Sequence, residues 1–243
     1  MKPGIVTAWS DLGFQPTTDQ PACLPREKFA AYGEGIKEAV GAENVVMFWD
    51  YPYDQCWVAK EFNLNALHPN NPTPQDRFAD SWQHLRCSAV QHERTTWAMQ
   101  AAALRPDVDV WIWLDIGVLK QGAWRNNPVT KDSIKRLFDR VAATPAPMDS
   151  IPFPGITERQ MVYPTGNVWR FVGSTHIWPA TFLPEIHAVY KEVLRQWIAK
   201  HQTLPIDLPI WAMVEQGSSL PFKFYPAEYD ASQMDNYPYG RTI

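Results

Sequence analysis

The stretch Val108–Leu114, VDVWIWL, constrains the fold more than any other in the chain. Its apolar run from Val110 to Leu114 is rich in β-branched and aromatic residues. It is too short for an ordinary helix, and Arg105-Pro106-Asp107 and Asp115 bound it. A strand apolar on both faces must be covered on both, which requires a sheet with helices packed on either side. The rest of the chain supplies such partners. Gly4–Trp9 (GIVTAW) and Asn44–Trp49 (NVVMFW) read as two more buried strands. Between them, Phe29, Tyr32, Ile36 and Val40 mark a helix over Arg26–Val40, weakened by Gly33 and Gly35. Helix formers run from Gln75 to Leu104, enough for two helices or one kinked one. Thr130 is the expected N-cap of KDSIKRLFDRV, and Leu183–His201 carries a long apolar stripe. The Pro-rich TPAPMDSIPFPG reads as a connection and Asn167–Ile177 as a strand broken at Gly173. Leu208–Val214 reads as a short helix, and FKFYPAEYD as a last strand. The alternation predicts one α/β domain with a mixed, mostly parallel central sheet flanked by helices.

Composition narrows the class of function. Lys+Arg number 22 against 26 Asp+Glu in 243 residues, a formal charge of -4, with no basic block, so nucleic acid is disfavoured. Three cysteines, odd in number and without a C-x-x-C pair, indicate neither a disulfide framework nor a cysteine zinc site. A reducing, cytoplasmic setting is the expectation. No apolar run approaches the roughly 18 residues of a membrane span. G-x-G-x-x-G, Walker, H-E-x-x-H and G-x-S-x-G signatures are absent. The loop Asn63–Pro74, NLNALHPNNPTP, is long for a routine connection and reads as a candidate lid.

In open α/β sheets ligands bind beyond the carboxyl ends of the strands. Asp115, directly after WIWL, is the best-placed carboxylate. It suits a ribose hydroxyl or a hard cation such as magnesium or manganese, although a strand-end carboxylate also caps turns. Trp9, at the end of the first strand, offers a face for a base. Trp111 and Trp113 share one face by period two and read as core. Gly173, Ser174, Thr175 and His176 follow a strand and offer hydroxyls and an imidazole to an acceptor, though a lone His is more often structural. Asp207 precedes a short helix, where it is also a natural N-cap.

Three segments resemble the HtrL/YibB-type bacterial protein family. These are IVTAWSDLG at the amino terminus, NVVMFWD at the second strand, and VQHERTTWAMQAAALRPDVDVWIWLDIGVL leading into Asp115. The likeness runs in order to about Leu119, and more loosely from Val168 to Tyr229. It implies a GT-A-like, Rossmann-like domain over 1–243, with a nucleotide-binding half (1–119) and an acceptor-side half (120–243). The implied activity is glycosyl transfer from a nucleotide-sugar donor to a hydroxyl acceptor, be it glycan, protein, small molecule or, less readily, a modified DNA base. By the same resemblance Thr7, Ala8 and Asp11 border the nucleotide, and Arg94 faces the diphosphate. Asp115 matches the first position of an Asp-x-Asp motif that supports metal and ribose, but Gly117 stands at the second, which puts a manganese or magnesium ion in question. Asp207 resembles the element set near sugar and acceptor, with Leu208 where a Gln is usual, and Glu215 is a weaker candidate for the same duty. Two other readings stand beside this one: a carbohydrate- or nucleotide-binding protein that has lost catalysis, motivated by Gly117, and a glycoside hydrolase using Asp115 and Glu215.

Overall fold

A computed structural model describes residues 1–10, 12, 26–67, 81–122, 126–156 and 170–239. Asp11, residues 68–74 of the candidate lid, and residues 167–169 of the broken strand lie outside them. The first half runs β1 (Pro3–Ala8), α1 (Arg26–Val40), β2 (Val45–Phe48), short helices α2 (Trp57–Glu61) and α3 (Leu64–Leu67), then α4 (Ser81–Gln91), α5 (Arg94–Leu104) and β3 (Val110–Leu114). The second half runs α6 (Lys131–Ala143), β4 (Ile151–Gly155), β5 (Thr175–Pro179), α7 (Leu183–His201), α8 (Asp207–Gly217), β6 (Phe222–Pro226) and α9 (Ser232–Asp235).

The main sheet has the order β2-β1-β3-β5. β1 is parallel to both β2 and β3, and β5 runs antiparallel to β3. The chain leaves β1 toward β2 on one side and returns as β3 on the other, so a topological switch point falls between β1 and β3. The mixed, mostly parallel α/β sheet is thus as the sequence predicts.

Alternation along the strands divides the core in two. Ile5, Val110, Ile112, Leu114 and Ile177 pack with Ile36, Ile134, Leu137 and Val141 of α1 and α6. Val6, Trp111, Trp113 and Trp178 pack with Trp97, Tyr190, Leu194 and Trp211 of α5, α7 and α8. The glycines of α1 have a packing role that offsets their poor helix propensity. A Cβ on Gly33 would lie 2.6 Å from Met47 Cε, and one on Gly35 would lie 2.8 Å from Leu119 Cδ1. Thr130 caps α6 in a reciprocal box: its Oγ1 accepts from the Ser133 N–H at 3.2 Å, and Ser133 Oγ accepts from the Thr130 N–H at 2.8 Å.

The Pro-rich segment read as a connection contains a strand. β4 pairs in parallel with β6 as a separate two-stranded sheet. Its prolines, Pro152 and Pro154, alternate, so both missing donors lie on the edge away from β6. That edge still accepts: the Val172 N–H donates to the Pro154 carbonyl at 2.9 Å. The broken strand is regular only from Thr175, two residues beyond Gly173.

Candidate active site

Three elements converge at the carboxyl edge of the sheet beside the switch point. β3 ends on Asp115, whose N–H donates to the Ser174 carbonyl at 2.9 Å and is thereby tied to the segment entering β5. α5 begins with Arg94, and α8 begins with Asp207. Pro209 is tolerated there because the first helical turn lacks internal acceptors for its N–H groups. Asp207 is the first helical residue rather than the N-cap, which is Ile206 with no side-chain cap. Its carboxylate therefore sits at the positive end of the helix.

Arg94 joins the two carboxylates. Nη1 donates to Asp207 Oδ2, and Nη2 donates to Asp115 Oδ1 at 3.1 Å and Oδ2 at 3.4 Å. The side chains of Arg94 and Asp207 are 6% and 3% exposed, whereas that of Asp115 is 33% exposed. Asp115 is therefore the member of the cluster that a ligand can meet. Trp113 fixes it further, its Nε1–H donating to Asp115 Oδ1 at 2.9 Å, while the Arg94 guanidinium lies 5.6 Å from the Trp113 ring. Trp113 in turn stacks on Trp97 at 5.7 Å. Burial pushes Asp207 up to about 6 against the pull of Arg94, and Asp115 adds to the rise. Burial works against the charge on Arg94, but the two carboxylates outweigh it and hold the guanidinium protonated.

Gly173 and Tyr229 close the cluster. The Gly173 N–H donates to the Tyr229 hydroxyl at 3.2 Å. A Cβ on Gly173 would meet Leu208 Cδ2 at 3.1 Å, Arg94 Nη1 at 3.5 Å and Asp207 Oδ2 at 3.7 Å, so the backbone passes close over the ion pair. Burial raises the Tyr229 phenol to about 12.

Several sequence expectations need correction. Arg94 does not face an open phosphate site, because its two amino groups are taken by carboxylates. Asp207 is buried, with its carboxylate turned onto Arg94 rather than toward an open acceptor face. Thr7 and Ala8 point into the core, and the Thr7 hydroxyl has no hydrogen-bond partner. Ser174 and Thr175 are buried and donate to Gln233 Oε1, the first at 2.8 Å. His176 is a core residue 4.5 Å from Phe153 and 5.0 Å from Trp211, with Nε2 on the Gly173 carbonyl at 3.2 Å. Burial first, then Arg94, drives its imidazole well below its ordinary value. Glu215 stands eight residues along α8 from Asp207, roughly 12 Å by helix geometry. It is held bidentately by Arg170 at 2.7 and 3.1 Å, which commits both of its oxygens to that partner.

Trp9 lies at the carboxyl end of β1 as expected, but one face is already occupied. It stacks on Trp49, at the matching end of β2, with centroids 4.8 Å apart. Arg26 lies 5.5 and 5.8 Å from the two rings and pairs with Asp50.

A divalent ion fits poorly at Asp115. Among the described residues no three His, Cys, Asp or Glu side chains come together as ligands. Asp115 already shares its oxygens with the Arg94 guanidinium, and Asp207 is turned onto Arg94 from the buried side. Trp113 was legible as a partner, since it shares a strand face with Asp115 two residues on. Tyr229 was not, because nothing local marks a contact 56 residues from Gly173.

No family model matches the chain, and no curated protein matches it. Among solved structures it is similar to a glycosyltransferase described as involved in the glycosylation of the major capsid of PBCV-1. That pair shares 12% identity, with a TM-score of 0.49 over 94% of this chain and 83% of that chain. It is also similar to a cytidylyltransferase from Leptospira borgpetersenii serovar Hardjo-bovis. Here identity is 15% and the TM-score 0.42, over 95% of this chain and 78% of that chain.

Proposed function

We propose that this protein is a glycosyltransferase that moves a sugar from a nucleotide-sugar donor to a hydroxyl acceptor. The observation that carries this reading is Asp115. It is an accessible carboxylate at the carboxyl end of β3, beside the switch point, held in one orientation by Arg94 and Trp113. A carboxylate fixed at that place is suited to accept from a ribose or sugar hydroxyl. The resemblance of three segments to the HtrL/YibB-type family supports the same reading, and the Trp9–Trp49 pair supplies an aromatic edge for a base.

In the reaction the acceptor oxygen bonds to the anomeric carbon. The bond from that carbon to the diphosphate oxygen breaks, and the nucleoside diphosphate leaves with the electron pair. The acceptor proton passes to solvent or to a base beside the acceptor, while Asp115 holds the donor hydroxyl. Arg94 and Trp113 hold Asp115 in place without a divalent ion. The acceptor class is a hydroxyl on a glycan, protein or small molecule. One observation favours a second reading, a non-catalytic nucleotide- or carbohydrate-binding protein: Gly117 and the burial of Asp207 leave the cluster a single accessible carboxylate.

A thermal-shift screen of nucleoside diphosphates and nucleotide sugars tests the site. Ligand at about 100 times its Kd stabilises by about 2.7 kcal/mol, which raises the melting temperature visibly. One nucleotide family is expected to shift the wild type and to leave Asp115→Asn unshifted. No shift with any nucleotide overturns the reading.

A further inference from the structure

If Arg94 is consumed by Asp115 and Asp207, another cation must meet the leaving diphosphate. Arg26 is paired with Asp50 and lies against Trp9 and Trp49. Arg86, on α4, is differently placed. Its Nη1 donates to the Leu12 carbonyl, four residues past the end of β1, at 3.3 Å. Its guanidinium lies 4.9 Å from the ring of Tyr53, five residues past the end of β2. Its Nε is buried and has no hydrogen-bond partner. Among the described residues no carboxylate pairs with it.

A half-buried guanidinium with an unmet donor and no counter-charge is unfavourable, unless an anion completes it. Arg86 bridges the segments that leave β1 and β2, at the carboxyl edge of the sheet, the edge on which ligands bind in open α/β sheets. Its planar fork matches two phosphate oxygens at once. We infer that Arg86 binds the diphosphate of the donor, so that phosphate recognition and Asp115 come from separate helix–strand units. This inference rests on the nucleotide-donor reading. Arg86 attracts the negative charge that grows on the leaving group, while Arg94 stays committed to the carboxylates.

Calorimetric titration separates the two ideas. UDP, CDP, GDP and ADP, each beside its parent nucleoside, are titrated into the wild type, Arg86→Met and Arg86→Lys. Arg86→Met keeps the apolar stem and removes the fork. It is expected to weaken the diphosphate about tenfold or more while nucleoside affinity stays within about twofold, with Arg86→Lys in between. In the wild type, bound diphosphate is expected to protect Arg86 from phenylglyoxal, read by peptide mass spectrometry. Equal modification with and without diphosphate, or an Arg86→Met protein that binds diphosphate like the wild type, overturns the role of Arg86 and leaves the nucleotide reading standing. A wild type that binds none of the four diphosphates overturns both.

Discussion

Arg94 and Asp207, 113 residues apart in the chain, close into a buried ion pair, and the same guanidinium reaches Asp115 with its other amino group. Removing one partner leaves the other charge buried and unpaired. Arg94→Met is therefore expected to lower unfolding free energy by about 3–5 kcal/mol, while Arg94→Met with Asp207→Leu recovers most of it. Chemical denaturation of both variants checks this. A single variant within about 1 kcal/mol of wild type would show that the pair is not coupled to the fold.

Acidification should weaken the fold, with a slope set by opposing groups. Burial drives His92 down to about 3 and His187 to about 4, and His176 well below 6.5. Each contributes stability that is complete above its unfolded value and is lost as pH falls toward its folded one. Burial raises Glu93 to about 7 and Asp207 to about 6, and their contributions run the other way, complete near pH 4 and lost as pH rises through those values. Between about pH 5 and 6 the three histidines outnumber the two opposing carboxyls, so stability falls as pH falls. Glu93→Gln removes one opposing group and is expected to steepen the slope. Urea titrations across this range measure it, and an unchanged slope contradicts the assignment of Glu93.

Gly173 lets the backbone pass over the ion pair, and a side chain there must displace Leu208. Gly173→Val is expected to destabilise by about 1–3 kcal/mol, and Gly173→Ala by less. Melting curves decide, and a Gly173→Val protein with wild-type stability would mean that this approach is loose.

The carboxylate cluster carries its own cation, so removing divalent ions should leave nucleotide affinity within about twofold. Calorimetry with chelator and then with added manganese tests this. A loss with chelator that manganese restores would assign a metal to Asp115 after all.

Much of the frame was legible because it rests on periodicity. The continuous apolar run of β3 fixed its burial on both faces and placed Asp115 at its open end, and Thr130 announced the start of α6. What sequence could not supply was pairing across distance. Nothing near Arg94 says that its guanidinium turns inward to Asp207, and Ser174, Thr175 and His176 read as lining because their burial comes from Gln233, Phe153 and Trp211. β4 was hidden by Pro152 and Pro154, whose spacing puts both missing donors on one edge. Arg86 carries no local signal, since its meaning comes from Leu12 and Tyr53 meeting at the sheet edge.

The most direct test of the central claim is release of nucleoside diphosphate from a panel of nucleotide sugars, compared between wild type and Asp115→Asn. The wild type is expected to release diphosphate from one nucleotide family. Asp115→Asn, with its fold intact, should be slower by about 100-fold or more. A well-folded Asp115→Asn protein that turns over donor like the wild type would contradict the account.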